Sequence, residues 1–158
     1  MTYTKILIGI DGSEDSKRAV KKAIELQKDW GCEIVAFHSV EHHMVADTLR
    51  LTVPITNTFT YQIPAQDYTQ IRQAYVEAGK KIIADAKQMF EDAQAKAEVR
   101  LIKQVDPDDY IKTVVDKENF DLVILGCKGK HSKLKEIFVG SIAQKVVNQV
   151  PVDTLIVR

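Results

Sequence analysis

The chain has 158 residues, the usual size of one α/β domain, so a single domain spanning 1–158 with one core is expected. Hydrophobic residues make up 45% and charged residues 28%, a globular composition that argues against disorder. Lys+Arg and Asp+Glu both number 22, and that balance leaves no general electrostatic footprint for nucleic acid or an anionic membrane.

Purely apolar runs are only a few residues long, far short of a membrane span. The opening MTYTKILIGI has no basic n-region or cleavage site and reads as a strand rather than a signal peptide. Cys32 and Cys127 lie far apart and suggest no disulfide scaffold. The simplest compartment is the cytoplasm.

Residues 3–10 form a short β-branched run that stops at Asp11-Gly12-Ser13, which is turn and helix-start chemistry. From Glu14 to Trp30, Ala19, Val20, Ala23, Ile24 and Leu26 recur at helical spacing, and Gly31 ends the helix. Residues 33–40 are again strand-like, so the chain opens with the β-α-β unit that builds parallel sheets. Residues 41–66 hold two prolines and no clear period. A loop of that length is expected to be mobile without ligand and to serve as a lid or docking loop near the site.

Ile71, Tyr75, Ala78, Ile82, Ala86 and Met89 then mark a long amphipathic helix. Residues 98–104 predict a third strand. Asp106-Pro107-Asp108-Asp109 is a helix start, with Asp106 as cap and Ile111, Val114 and Val115 directed to the core. Residues 121–126 form a fully apolar strand of the kind covered by helices on both faces. A Gly- and Lys-rich loop follows, then a helix carrying Ile142, Val146, Val147 and Val150. Pro151 stops it, and a final strand covers 152–158. The alternation predicts a single doubly wound, five-stranded parallel sheet with helices on both faces, Rossmann-like, with ligands at the strands' carboxyl ends. No repeat, low-complexity tract or second domain is visible.

Two segments carry candidate chemistry. Gly126-Cys127-Lys128-Gly129 precedes Gly140-Ser141, and glycines leave backbone amides open to a ligand. Gly140-Ser141 opens a helix whose amides and dipole favour a phosphate. Between them, residues 128–135 hold four lysines and His131, which suggests an anionic partner. The plainer alternative is a solvated loop beside a helix cap, and both readings stand at this point. Gly9-Ile10-Asp11-Gly12-Ser13 is the second segment: Asp11 can meet a ribose or hold a metal on phosphates, or it can simply cap the helix, as Ser13 also can. If the first and fourth strands pair, the two segments become neighbours.

Other chemistries fare worse. No G-x4-G-K-[ST] run exists, and no G-x-G-x-x-G follows the first strand. His38, His42 and His43 have no regularly spaced carboxylate or thiol beside them, so any metal ligand set is unknown. Cys127 lacks a C-x-x-C partner, and Ser13 and Ser141 lack a His/Asp arrangement that would make them nucleophiles.

Taken together, IDGSEDS after the first strand, Asp106-Pro107, DLVILGCKGKHSKLKEIFVGS and the terminal PVDTLIVR resemble the universal stress protein family, in its ATP-binding branch with the signature G-x2-G-x9-G-[ST]. The resemblance implies an adenine nucleotide alpha hydrolase-like sheet, strand order 3-2-1-4-5, clasping ATP, alone or with Mg2+, between the first and fourth strands. Carried over by position, Asp11 meets the ribose or phosphates, and Gly9, Ile10, Val40 and Leu125 border the adenosine. Gly126, Gly129, Gly140, Ser141 and Ile142 cradle the phosphates, with Lys128, Lys130 and His131 beside them. Two departures stand out: the spacer 130–139 is ten residues, one longer than the family pattern, and Val105 replaces the usual glycine two positions before the proline.

The expected function is a cytoplasmic nucleotide-dependent sensor or regulator of the stress response. A role as sensor is expected rather than that of a dedicated enzyme, since no convergent general base is evident, and at most slow ATP hydrolysis is expected. One alternative is an ATP pyrophosphatase-type or adenylyl-transferring enzyme, because residues 11–16 faintly resemble a Ser-Gly-Gly-x-Asp-Ser loop, though one glycine is missing. The other is a dimeric interaction module that binds no nucleotide. A homodimer through the terminal strand 152–158 is expected from its apolar Val152, Leu155, Ile156 and Val157 and its edge position, and the resemblance implies the same. Gly126→Val is expected to abolish binding by placing a side chain in the phosphate path.

Overall fold

Strand β1 (Lys5–Gly9) sends Ile6 and Ile8 to one face and Leu7 to the other, the period-two alternation of a strand covered on both sides. The computed structural model describes residues 2–40, 65–128 and 139–158. In these, β1 pairs in parallel with β2 (Glu33–Ser39) and with β4 (Leu122–Gly126). β3 (Ala97–Ile102) and β5 (Asp153–Val157) form the two edges. The order is β3-β2-β1-β4-β5, as expected.

Helix α1 (Glu14–Trp30) has the predicted bounds because both ends are capped by residues visible in the sequence. Ser13 Oγ accepts the Ser16 N–H at 3.1 Å, and Gly31, at φ 69°, donates its N–H to Gln27 O at 2.8 Å. Its buried face of Ala19, Val20, Ala23 and Ile24 packs with α2 (Ala65–Asp92), through Ala86 and Phe90, on one side of the sheet. On the other side, α3 (Pro107–Lys117) contributes Ile111, Val114 and Val115. There α4 (Ser141–Gln149) adds Ala143 and Val146 against Leu7, Phe37, Val123 and Leu125. The winding therefore reverses between β1 and β4, the position where ligands of such sheets bind.

Several details differ from the sequence expectation. Ala65 and Gln66, assigned to the long loop, belong to α2, which begins on the residue after Pro64, and 41–64 lie outside the described residues. β3 runs 97–102 rather than 98–104, because its register with Ile34–Ser39 ends at Ile102. Asp106 occupies the N-cap of α3 but makes no side-chain cap bond, so Pro107 in the first turn and the acids Asp108 and Asp109 mark that start. Both cysteines are buried and form no disulfide, and burial pushes the Cys32 thiol up. No described helix is long and apolar enough to cross a membrane.

Candidate functional site

The carboxyl ends of β1 and β4 lie side by side, with Gly9 opposite Leu125 in the register. Here the chain leaves β1 into the Asp11–Ser13 turn and leaves β4 into the Cys127–Lys128 turn. Asp11 Oδ1 accepts the Ser13 N–H at 2.9 Å, and the Asp11 N–H donates to Ser16 Oγ at 3.2 Å. Asp11 thus shapes the turn, while Ser13 performs the helix capping. The two roles offered to Asp11 from the sequence are divided between two residues, and Asp11, half-buried at the rim, is not needed as the cap.

The turn after β4 is tied down by three backbone amides. Cys127 N–H donates to Val157 O at 2.7 Å, Gly140 N–H donates to Cys127 O at 2.7 Å, and Lys128 N–H donates to Asp15 Oδ2 at 3.0 Å. Of these, the Gly140 bond matters most for a site, because it brings the start of α4 to the end of β4. Gly140 is the N-cap of α4 and provides no side-chain cap bond, and the first turn of that helix carries no acidic residue. The positive end of its dipole is therefore not offset by its own side chains. Ser141 is exposed there, and Ile142 is half-buried.

A pair of ions holds α4 against α3. Asp108 Oδ2 lies 3.2 Å from Lys145 Nζ and 3.5 Å from Lys112 Nζ, and its other oxygen is buried without a hydrogen bond among the described residues. Burial pushes the Asp108 carboxyl up, but the two ammonium groups outweigh it and hold the group below its ordinary value.

The expected adenosine-side residues have a mixed placement. Ile10, Val40 and Leu125 are 5%, 1% and 5% exposed, so they lie in the core, backbone included. That backbone is partly engaged: Ile10 N–H donates to Phe37 O at 2.9 Å, its carbonyl lies 2.7 Å from His38 Nδ1, and Val40 N–H donates to Ile102 O at 3.0 Å. His38 is buried, and the described residues hold no cluster of three or more His, Cys, Asp or Glu suited to a metal. His42 and His43 lie outside the described residues, as do Gly129, Lys130 and His131.

Gly126 does not face open space. A Cβ built on it would stand 2.8 Å from Ser16 N and 2.9 Å from the carbonyl carbon of Asp15, so an added side chain meets α1 before any ligand. The loss of its side chain permits a close approach of helix to strand end, and its candidate part in a ligand site falls to its backbone. Sequence reasoning missed Asp15 and Ser16. The signal for Asp15 was present, an acid in the first turn of α1, but that position reads as a dipole partner rather than as a link to a residue 113 positions away.

Comparison with known proteins follows the same lines. Universal stress protein YxiE of Bacillus subtilis is 29% identical over 156 residues, covering 99% of each chain. The solved universal stress protein UspA from Lactobacillus plantarum shares the fold with a TM-score of 0.75 at 20% identity, covering 100% of this chain and 99% of that one. A universal stress protein from Archaeoglobus fulgidus in complex with dAMP superposes with a TM-score of 0.66 at 16% identity over 100% of both chains, and other solved proteins of the fold hold cAMP or AMP. Across residues 2–158 the sequence matches the model of the universal stress protein family, and the chain belongs to that family.

Proposed function

We propose that this chain binds an adenine nucleotide, ATP by the glycine signature, at the switch point between β1 and β4, and works in the cytoplasm as a nucleotide-dependent regulator of the stress response. The observation that carries the reading is the junction of Gly140 with Cys127, which sets the uncapped start of α4 beside the carboxyl end of β4. A helix start with no side-chain cap bond and no acid in its first turn suits a phosphate. In this reading Ser141 and Ile142 receive the phosphates, Gly126 and Gly140 line their approach with backbone, and Asp11 meets the ribose or a Mg2+ carried by the phosphates. The adenine nucleotides held by solved proteins of this fold support the choice of base. The bound nucleotide supplies a charge-bearing group whose presence or absence changes the rim, which suits a sensor.

The reading extends to a homodimer through β5. That strand pairs only with β4 among the described residues and leaves its outer edge to a second copy.

Ser141→Asp separates ligand from fold. An acid at the first position of α4 favours the helix by about 0.3–1 kcal/mol, so the melting temperature should hold or rise. Its charge opposes a phosphate at contact distance, and ATP affinity measured by calorimetry should fall by at least about tenfold. Wild-type protein that gives no heat with ATP and releases no nucleotide on denaturation would overturn the reading, as would unchanged affinity in the variant.

A further inference from the structure

Among the described residues, a side chain of α1 anchors the turn after β4. Asp15, in the first turn of α1, has a side chain only 13% exposed; its Oδ2 accepts the Lys128 N–H at 3.0 Å and its Oδ1 pairs with the Arg18 guanidinium. The other two anchors, Cys127 to Val157 and Gly140 to Cys127, are backbone to backbone and survive substitution. Around the same point the chains are closely apposed, since Gly126 lies so near Ser16 and Asp15 that no Cβ fits. A carboxylate that accepts an amide is a stronger partner than a neutral oxygen. Its bond directs the Lys128 amide towards α1, away from the approach to α4.

We propose that Asp15 is a positioning residue of the nucleotide site. Its carboxylate holds residues 126–128 against α1, and through the Cys127–Gly140 bond this fixes where α4 presents its first-turn amides. Asp15 itself touches no nucleotide. The inference rests on the reading of the preceding section and adds to it a residue outside the glycine signature. It also makes the phosphate half of the site depend on Asp15, while the part of the adenosine half built on β1 and the end of β2 does not.

The test uses the full chain with Asp15→Ala and Asp15→Asn. Each is measured with ATP and with adenosine by displacement of a fluorescent ATP analogue, and amide exchange is followed across 126–128 in the ligand-free protein. Asp15→Ala should speed exchange there and weaken ATP about tenfold, the scale of one hydrogen bond to a charged group. Adenosine should change by less than about twofold, and Asp15→Asn, which keeps an acceptor oxygen, should recover most of the ATP affinity. Equal losses for ATP and adenosine would mean a general structural role and overturn the proposal, as would unchanged exchange or unchanged ATP affinity in Asp15→Ala. Wild-type protein that binds neither compound would instead overturn the nucleotide reading, and this proposal with it.

Discussion

Replacing Gly126 with alanine should weaken the fold itself. Gly126 closes β4 opposite Val157, and a Cβ there would lie 2.8 Å from Ser16 N, 2.9 Å from the Asp15 carbonyl carbon and 3.1 Å from Asp15 Cβ. Ordinary contacts between such atoms are about 3.5–4.0 Å, so the new methyl sits roughly 0.6–1 Å too deep. The two nearest atoms are backbone. They belong to a helix turn held by the Ser13 cap at 3.1 Å and by the Asp15–Lys128 bond at 3.0 Å, and cannot swing aside as a side-chain tip can. Relief therefore requires α1 to shift as a body or β4 to bend. Overpacking of this kind costs about 1–3 kcal/mol. In a chain of this length each kcal/mol moves the melting temperature by about 2–4 °C, so a drop of roughly 2–12 °C is expected, larger for valine. Thermal and urea unfolding followed by far-ultraviolet circular dichroism measure it directly. A variant that melts with the wild type would refute the close approach. One that melts early but binds ATP as before would show that the start of α4 is insulated from α1, contrary to the role given to Asp15.

Asp11→Ala removes the 2.9 Å bond to the Ser13 amide but leaves the Ser13 cap, so stability should fall by only about 0.5–1.5 kcal/mol while the rise in melting temperature on adding ATP is largely lost. An unchanged rise would remove Asp11 from the site. At the opposite end of the sheet, Asp121 accepts the Thr4 N–H, the Thr4 hydroxyl and the Lys5 N–H at 2.7, 2.7 and 3.0 Å; burial pushes its carboxyl up, but these donors outweigh burial and hold it below its ordinary value. A lowered folded-state pKa gives stability that is present above the unfolded value of about 3.9 and is lost as pH falls through the folded one. The melting temperature should therefore fall more steeply in acid for the wild type than for Asp121→Asn, and parallel curves from about pH 7 to 3 would contradict this. For the β5 dimer, light scattering at about micromolar concentration should give twice the chain mass, and a monomer would end the idea. Leu155→Lys is a poor probe of it, because Leu155 packs against the core on the α1 side and Ile156 against the core on the α3–α4 side.

Much of the fold could be read from single residues because their effects are local. Ser13 and Gly31 bound α1 to the residue, since capping needs only its own turn. The apolar run Leu122–Leu125 announced a strand covered on both faces, and all four residues are buried. Where partners decide, reading failed: β3 stops where β2 stops offering a register, which no residue near Lys103 reveals. The site was legible in the same uneven way. Gly140-Ser141 looks like a helix start in the sequence and is one. Gly126 also looks like a residue that makes way for something, but a sequence cannot say which side the missing Cβ would have faced. Here it faces α1.

That orientation decides how a ligand can arrive. The helices α1 and α2 cover one face of the sheet, and α3 and α4 cover the other, so the reversal between β1 and β4 leaves two possible approaches to the strand ends. On the α1 side the approach is closed, because Asp15 and Ser16 stand within 2.9 Å of where a Gly126 side chain would begin, and the Lys128 amide is bonded into the same turn. On the α4 side the end of β4 meets a helix start with no side-chain cap and no acid in its first turn. An anion entering there gains from the dipole of α4 about 0.3–1 kcal/mol when exposed and up to about 2 kcal/mol when partly buried. In the proposed reading the base and ribose lie along β1 and the end of β2 and add their contacts to that of the dipole.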